Sequence, residues 1–260
     1  MAKPTVEQRL EEGVGIVSLN RPDKHNALND EMSAELRQAF EWAFDTPEVR
    51  CVLLRGEGRS FCSGRDTTVL GHRAGDESDF AFVRRAQDGR LSMLDAPKPI
   101  VAAMRGHVIG GGLEMALAAD MRVAADDVRL RLPEIRYGIL PDTGGTQFLT
   151  ALIGPSKTKY LVMSGQAVEA EQALQWGIVD WVVAPEALDE EALRIAKQLA
   201  SGPPLAIAMA KQLIDQFHGE SVRRGIREEL LAQSALFKTE DYQEARSALR
   251  EKRSPRYKGK

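Results

Sequence analysis

Residues 99–120, PIVAAMRGHVIGGGLEMALAAD, combine a short apolar run, a glycine triplet and a helix-like apolar pattern. Residues 100–103 form a brief apolar run bounded by a proline, which is typical of a buried strand. Gly110, Gly111 and Gly112 then lead directly into apolar residues at helical spacing. Glycines let the backbone approach a ligand closely, and a helix N-terminus presents free N–H groups to negative charge. The triplet therefore predicts an oxyanion-binding turn or, equally, a tight helix–strand contact.

Short apolar runs alternate with helix-length stretches through the first half of the chain. The strand-like runs occupy residues 16–19, 51–54, 100–103 and 128–132. Residues 27–44, between the first two runs, carry apolar residues at steps of three or four, which is the spacing of an amphipathic helix. Because strands and helices alternate, the sequence predicts an α/β fold.

The helical spacing becomes continuous near residue 185. We therefore expect a mixed core over residues 1–184 and a C-terminal helical segment over residues 185–260, packed on that core or on a neighbouring subunit. Residues 67–81 combine glycine and aspartate with little periodicity. Such a stretch predicts a long loop, and long loops often cover a site.

The composition excludes several classes of protein. Of the 260 residues, 43% are hydrophobic and 28% charged, and the net charge of −3 gives no reason to expect a nucleic acid as partner. Arg105 and Glu114 interrupt the most apolar region, residues 99–119, so no membrane span is predicted. Two cysteines, Cys51 and Cys62, and the absence of an apolar leader sequence predict a reduced, cytoplasmic setting. The histidines have no metal-ligand spacing, so no metal is predicted. They are His25, His72, His107 and His218.

Two glutamates near the glycine triplet are candidate acids. Glu114 lies in the first turn of the predicted helix, and Glu134 follows the end of a strand-like run. Apolar neighbours raise the pKa of a carboxyl group and make it a usable proton donor. The alternatives are a helix-start glutamate that satisfies the helix dipole and a solvated loop glutamate. Residues 60–66 form a predicted turn that offers a further backbone donor, and no nucleophile motif of the G-x-S-x-G type occurs.

Taken together, these stretches resemble the crotonase, or enoyl-CoA hydratase/isomerase, superfamily. The matching segments are residues 20–29 (NRPDKHNALN), 61–66 (FCSGRD), 99–120, 132–147 (LPEIRYGILPDTGGTQ), 237–241 (FKTED) and 251–255 (EKRSP). They follow the family order along essentially the whole chain. The resemblance implies a crotonase-like spiral of ββα units with a C-terminal helical trimerisation segment, and a homotrimer or a dimer of trimers.

The resemblance also implies an acyl-CoA thioester as substrate and no separate cofactor, because CoA is part of that substrate. It assigns the two backbone N–H donors of an oxyanion hole to Arg65 and Gly111, which would stabilise enolate-like charge on the thioester oxygen. In the hydratases, the residue at the position of Glu114 helps to activate water for attack on C3, and the one at Glu134 delivers a proton to C2. The implied activity is therefore that of an enoyl-CoA hydratase.

Further positions are implied to bind the CoA part of the substrate. They are Lys24, His25, Ala27, Leu28, Gly64, Asp66, Thr67, Gly110 and Lys252. Lys252 is expected near the nucleotide phosphates in an adjacent subunit, although the basic tail around it is equally consistent with a solvated end. Arg65 stands where family members often carry a small residue, so its side chain is expected to change the pocket shape or to reach a polar group of the substrate.

Asp142 departs from the hydratase pattern. Hydratases usually have glycine at this position, whereas some isomerases of the superfamily have a catalytic aspartate. The alternative activity is therefore a double-bond isomerase that uses Glu134 and Asp142, unless Asp142 is only an N-cap or turn residue. A third hypothesis is a CoA-binding scaffold without catalysis, against which the retention of Glu114, Glu134 and the glycine triplet argues.

Overall fold

The computed structural model describes residues 3–73 and 75–260, without the side chains of residues 217–220. The side chain of His218 therefore lies outside the described part. The strands are β1 (Val6–Glu11), β2 (Val14–Leu19), β3 (Cys51–Gly56), β4 (Ile100–Met104), β5 (His107–Ile109), β6 (Met121–Ala125), β7 (Arg129–Arg131), β8 (Ala167–Glu169) and β9 (Trp181–Val183). The helices are α1 (Asp30–Asp45), α2 (Asp79–Leu94), α3 (Gly111–Leu117), α4 (Gly145–Ser164), α5 (Ala170–Trp176), α6 (Leu188–Ala200), α7 (Pro204–Leu236) and α8 (Glu240–Arg250).

The main sheet has the strand order β1-β2-β3-β4-β6-β9 and is parallel except for the β1–β2 hairpin. A second sheet has the order β5-β7-β8. Strands β4 and β6 of the main sheet are each followed by a strand of the second sheet, β5 and β7. A helix comes next in each case, α3 after β5 and α4 after β7 and a 3₁₀ turn, so the chain repeats a ββα order. The predicted α/β class and the expected ββα units are confirmed.

The main sheet is buried on both faces, as parallel sheets usually are. The strands β2 and β4 are buried along their whole length. On one face, α6 covers Val14, Leu53 and Val101, which form one apolar cluster. On the other face, a larger cluster includes Leu54 and Met104 together with residues of α1, α3 and α4. The edge of this larger cluster carries the site described below.

Two elements differ in extent from those predicted. The helix predicted over residues 27–44 begins at Asp30, because the Asn29 side chain caps it by accepting from Met32 N at 2.9 Å. The loop predicted over residues 67–81 is shorter, since α2 begins at Asp79, and α2 itself was not predicted.

The C-terminal segment forms the helices α6, α7 and α8, and residues 251–260 follow the last of them. The long helix α7 packs against α2 and α4, and α8 packs against a 3₁₀ turn at Glu134–Tyr137. The C-terminal helices therefore form part of the wall around Glu134. Across the described ranges, no helix is both long and apolar enough to cross a membrane.

Candidate active site

The two backbone segments predicted to form an oxyanion hole run side by side. Ile109 N donates to Cys62 O at 2.9 Å, which joins the segment after β3 to β5. A Cβ atom on Gly64 would lie 2.6 Å from Ile109 O and 3.6 Å from Gly111 N, and Gly64 has a φ of +84°. Only glycine fits at this position, and its small size lets Arg65 and Gly111 meet at one cavity.

The backbone amides of Arg65 and Gly111 have no acceptor among the described residues. Gly111 is the first residue of α3, where a helix leaves its N–H groups unpaired. Leu28 N donates to Gly64 O, and Asp66 N donates to Leu28 O. These two backbone hydrogen bonds flank Arg65 and leave its own amide unused. The cavity is therefore bordered by two residues with free backbone donors, which is the donor set that an oxyanion requires.

The Arg65 side chain contacts the cavity wall. Its Nη2 donates to Asp30 Oδ1 at 3.0 Å, and its guanidinium lies 5.2 Å from the centre of the Phe82 ring. These contacts fix the side chain beside the N-terminus of α1. Its bulk therefore narrows the cavity from one side.

Glu114 is buried in α3 and lines the same cavity. Its Oε1 accepts from Thr143 N at 2.8 Å and from Gly145 N at 2.9 Å. No hydrogen bond to Oε2 occurs within residues 3–73 and 75–260, so this second oxygen is available for a ligand. Glu114 thus caps the turn before α4 instead of satisfying its own helix.

Glu134 lies at the start of the 3₁₀ turn, and its carboxyl group sits over the glycine triplet. A Cβ atom on Gly110 would lie 2.6 Å from Glu134 Oε1, and Glu134 Oε2 is buried with no partner among the described residues. Burial, and then the charge of Glu114, raise the pKa of Glu134 well above its usual value. This shift favours the protonated form of Glu134, which is the form that a proton donor needs.

Asp142 also lines the cavity, but it is not a helix cap. The N-cap of α4 is Gly144, without a side-chain cap bond, and Asp142 Oδ2 instead accepts from Gln233 Nε2 at 3.0 Å. The N-cap interpretation was therefore wrong, because side chains from α3 and α7 already bind the amides of this turn. Burial, and then the charge of Glu114, raise the pKa of Asp142 to about 7.

Glu229 on α7 is a buried acid of this site that the sequence analysis missed. Its Oε2 accepts from Gly144 N at 2.8 Å, and its Oε1 accepts from Thr146 N at 3.3 Å and Thr146 Oγ1 at 2.5 Å. Gln87 on α2 was missed as well, and its Nε2 donates to Asp142 O at 2.7 Å. The turn that carries Asp142 is therefore held by side chains from three helices.

The residues predicted to bind CoA separate into two groups. Leu28 lines the cavity together with the proposed catalytic and oxyanion-hole residues. His25 bonds Ser60 Oγ through Nδ1 at 2.9 Å, and Asp66 pairs with Arg21 at 3.0 Å, so both side chains have partners within the protein. The predicted binding residues outside the cavity lining are Lys24, His25, Ala27, Gly64, Asp66, Thr67, Gly110 and Lys252. Their contact with CoA stays a prediction.

Comparison with known proteins agrees with this fold. A family model described as "Enoyl-CoA hydratase/isomerase" matches residues 9–260. The carnitinyl-CoA dehydratase of Citrobacter koseri is 36% identical over 249 residues, which cover 94% of each chain. An enoyl-CoA hydratase structure from Mycobacterium avium subsp. paratuberculosis superposes with a TM-score of 0.87 at 27% identity, covering 98% of both chains. An enoyl-CoA hydratase/isomerase from Pseudoalteromonas atlantica gives a TM-score of 0.87 at 29% identity, covering 98% of this chain and 100% of the other.

The fold and the match over nearly the whole chain define an enzyme of the crotonase superfamily, which acts on acyl-CoA thioesters. Within it, the chain belongs to the enoyl-CoA hydratase/isomerase family.

Proposed function

We propose that the protein catalyses the reversible addition of water to a 2-enoyl-CoA thioester. One observation carries this proposal: Glu114 and Glu134 line the same cavity as Arg65 and Gly111, whose backbone amides have no partner in the described chain. Hydration needs a group that accepts a proton from water, a group that donates one to carbon, and a site for the charge on the thioester oxygen. The cavity offers all of these.

The steps follow from the state of each group. The amides of Arg65 and Gly111 bind the thioester oxygen and stabilise its negative charge as water attacks C3. Glu114, through its free Oε2, accepts the proton that this water loses. Glu134, whose pKa burial raises, donates its proton to C2. The cycle closes when the proton on Glu114 returns to Glu134 through solvent.

The names of the relatives support a reaction of this class. Dehydration is hydration in reverse, and the Citrobacter koseri relative is named a carnitinyl-CoA dehydratase. A catalyst accelerates both directions of one equilibrium equally, so the same groups serve either direction.

Asp142 supports a second candidate, double-bond isomerisation. Its pKa of about 7 suits a group that takes a proton from one carbon and returns it to another. Glu134 would then be the second proton carrier. Asp142 would move a proton between carbons, and no water would add to the chain.

Product analysis in heavy water separates the hypotheses. The protein is incubated with crotonyl-CoA, a 3-enoyl-CoA and a 2,5-dienoyl-CoA, and the products are examined by mass spectrometry. We expect a 3-hydroxyacyl-CoA labelled at C2 from crotonyl-CoA. Shifted alkenes without hydration would favour the isomerase, and no turnover of any substrate would favour a non-catalytic CoA-binding scaffold.

The variant Asp142→Gly tests whether Asp142 takes part in the reaction. Glycine is the residue that hydratases usually carry here, so we expect hydration of crotonyl-CoA to remain within a few fold of the unmodified rate. A loss of several orders of magnitude would assign Asp142 to the chemistry and contradict a purely structural role for it.

We further propose that the protein assembles as a homotrimer or as a dimer of trimers. The first half of α7 exposes Leu205, Met209, Leu213 and Ile214, each with more than half of its surface open to solvent. An apolar surface of this kind on a soluble chain favours association. Light scattering after size exclusion is expected to give three or six times 28.7 kDa, and a monomer would contradict the proposal.

A further inference from the structure

Arg90 on α2 is a buried cation in the wall of the cavity. It is 8% exposed, and its Nη2 donates to Gly111 O at 3.3 Å. Its Nε is buried and has no acceptor among the described residues. A guanidinium carries five N–H donors, and a buried one is costly unless acceptors satisfy it. Within the described part of the chain, Arg90 therefore has one buried donor, Nε, without a partner and a single hydrogen bond, from Nη2.

The nearby acids do not supply those partners. Glu114 and Asp142 are charged neighbours of Arg90, but neither forms a hydrogen bond with it. Glu114 Oε1 is bound by two backbone amides, and Asp142 Oδ2 is bound by Gln233. Since the pKa of Asp142 is about 7, this acid carries only part of a negative charge at neutral pH.

The other partly buried arginines of this wall are different. Arg65, Arg73 and Arg85 each lie within 6 Å of the centre of the Phe82 ring. Each of them also pairs with a carboxylate. The pairs are Arg65 with Asp30, Arg73 with Asp79 and Arg85 with Glu77. Among the buried and partly buried arginines of the described wall, Arg90 is thus the one without a carboxylate partner.

We propose that Arg90 binds a carboxylate at the far end of a short 2-enoyl chain, so that the substrate is the CoA thioester of a dicarboxylic acid. The planar fork of arginine matches a carboxylate with two parallel hydrogen bonds. The inference rests on the proposed function, because the cavity must hold the acyl part of an acyl-CoA. Arg90 bonds the carbonyl of Gly111, whose own amide is assigned to the thioester oxygen, so the two ends of a short acyl chain would lie near each other.

The same arrangement disfavours a cationic acyl group. Carnitinyl-CoA, for which the Citrobacter koseri relative is named, carries a trimethylammonium group. In this chain such a group would meet the positive charge of Arg90, and the face of Phe82 that attracts cations is already covered by guanidinium groups. We therefore expect a different acyl specificity from the one in that relative's name.

Binding of saturated, unreactive thioesters tests the inference without requiring turnover. Glutaryl-CoA, hexanoyl-CoA and 4-trimethylammoniobutyryl-CoA are compared by titration calorimetry with the unmodified protein. We expect glutaryl-CoA to bind about tenfold or more tightly than hexanoyl-CoA, and the cationic thioester to bind most weakly. In Arg90→Gln, the ratio of the glutaryl-CoA to hexanoyl-CoA affinities is expected to fall to about one, whereas Arg84→Gln, an exposed arginine on the same helix, keeps it.

Equal affinity for glutaryl-CoA and hexanoyl-CoA in the unmodified protein would overturn the inference, as would a preference that survives in Arg90→Gln. If Arg90→Gln does not fold, Arg90→Lys decides, because a lysine keeps the charge but loses the fork and should lower the preference without reversing it. A glutaryl-CoA preference in a protein that hydrates neither crotonyl-CoA nor glutaconyl-CoA would contradict the proposed function and leave the acyl specificity in place.

Discussion

Glu114 on α3 and Glu229 on α7 hold the same turn by alternate backbone amides. The amides of residues 143 and 145 donate to Glu114, and those of residues 144 and 146 donate to Glu229. Glu229 thus bonds the backbone of the same turn that fixes the proposed water-activating carboxylate. Movement of either helix would displace this turn and with it the Glu114 carboxyl group.

Replacing Glu229 by alanine is therefore expected to impair catalysis although Glu229 is proposed to act only by positioning. The amides of Gly144 and Thr146 would lose their acceptor, and Glu114 would lose its fixed orientation. We expect kcat for crotonyl-CoA hydration to fall about 10-fold to 100-fold with a smaller change in KM.

The conservative variant Glu229→Gln keeps one acceptor oxygen and should recover part of this loss. The control is Glu228→Ala, because Glu228 is exposed on the same turn of α7 and forms an ion pair with Arg224. Equal rates for Glu229→Ala and Glu228→Ala would show that the turn does not depend on Glu229.

The variant Glu134→Gln removes the proton that is proposed to reach C2. The amide has nearly the same shape but cannot donate a carboxyl proton, so we expect kcat to fall by about 10²-fold to 10⁴-fold. The rate is measured by the loss of enoyl-thioester absorbance. Glu171→Gln, on the exposed surface of α5, serves as the matched control and should retain full activity. A rate for Glu134→Gln within tenfold of the control would remove Glu134 from the mechanism.

Adjacent glycines of the triplet should respond differently to alanine. At Gly110, φ is +54° and a Cβ atom would lie 2.6 Å from Glu134 Oε1, so Gly110→Ala should cost about 1–3 kcal/mol in the free energy of unfolding and displace Glu134. At Gly111, a Cβ atom would meet only Leu28 Cδ1 at 3.6 Å, an ordinary contact. Gly111→Ala should therefore fold normally and lose activity, because its methyl group stands beside the proposed oxyanion donor.

Urea unfolding and the hydration rate measure the two effects separately. A lower free energy of unfolding for Gly111→Ala than for Gly110→Ala would contradict the prediction.

Asp142 makes the stability of the protein depend on pH. Its pKa is about 7 in the folded state against an ordinary 3.8, so the folded state binds this proton more tightly than the unfolded state does. The contribution of this bound proton to the free energy of unfolding is present in full below about pH 4. It is lost as the pH rises through 7. Asp142→Asn removes this titration, so its free energy of unfolding should exceed that of the unmodified protein by up to about 4 kcal/mol at pH 8.

Denaturant unfolding at a series of pH values measures this difference. The two stability curves are expected to converge near pH 4, and curves that stay parallel from pH 4 to pH 8 would contradict the assignment.

The alternation of strands and helices was readable from the sequence because the buried strands are continuous apolar runs. Helix α2 was missed for a physical reason. Its buried residues are Val83, Gln87, Arg90 and Met93, which have helical spacing but are half polar. A hydrophobic period cannot reveal a helix whose inward face carries polar groups.

Polar residues on an inward helix face also explain why the contribution of α7 to the site was not predicted. Glu229 and Gln233 occupy inward positions of that helix, and their partners lie about 85 and 91 residues away in the sequence. Pairing over such separations leaves no local pattern. Glu114 and Glu134, in contrast, lie beside a glycine triplet and a proline turn, which marked them as candidates before the fold was known.

Helix α7 is one continuous element of 33 residues, about 50 Å long. Its beginning carries the exposed apolar side chains assigned to subunit contact, and its end carries Glu229 and Gln233, which hold the turn beside Glu114. The proposed subunit contact and the turn beside the proposed catalytic Glu114 are thus connected by the backbone of one helix. Dilution that separates the subunits should consequently slow turnover while each chain remains folded.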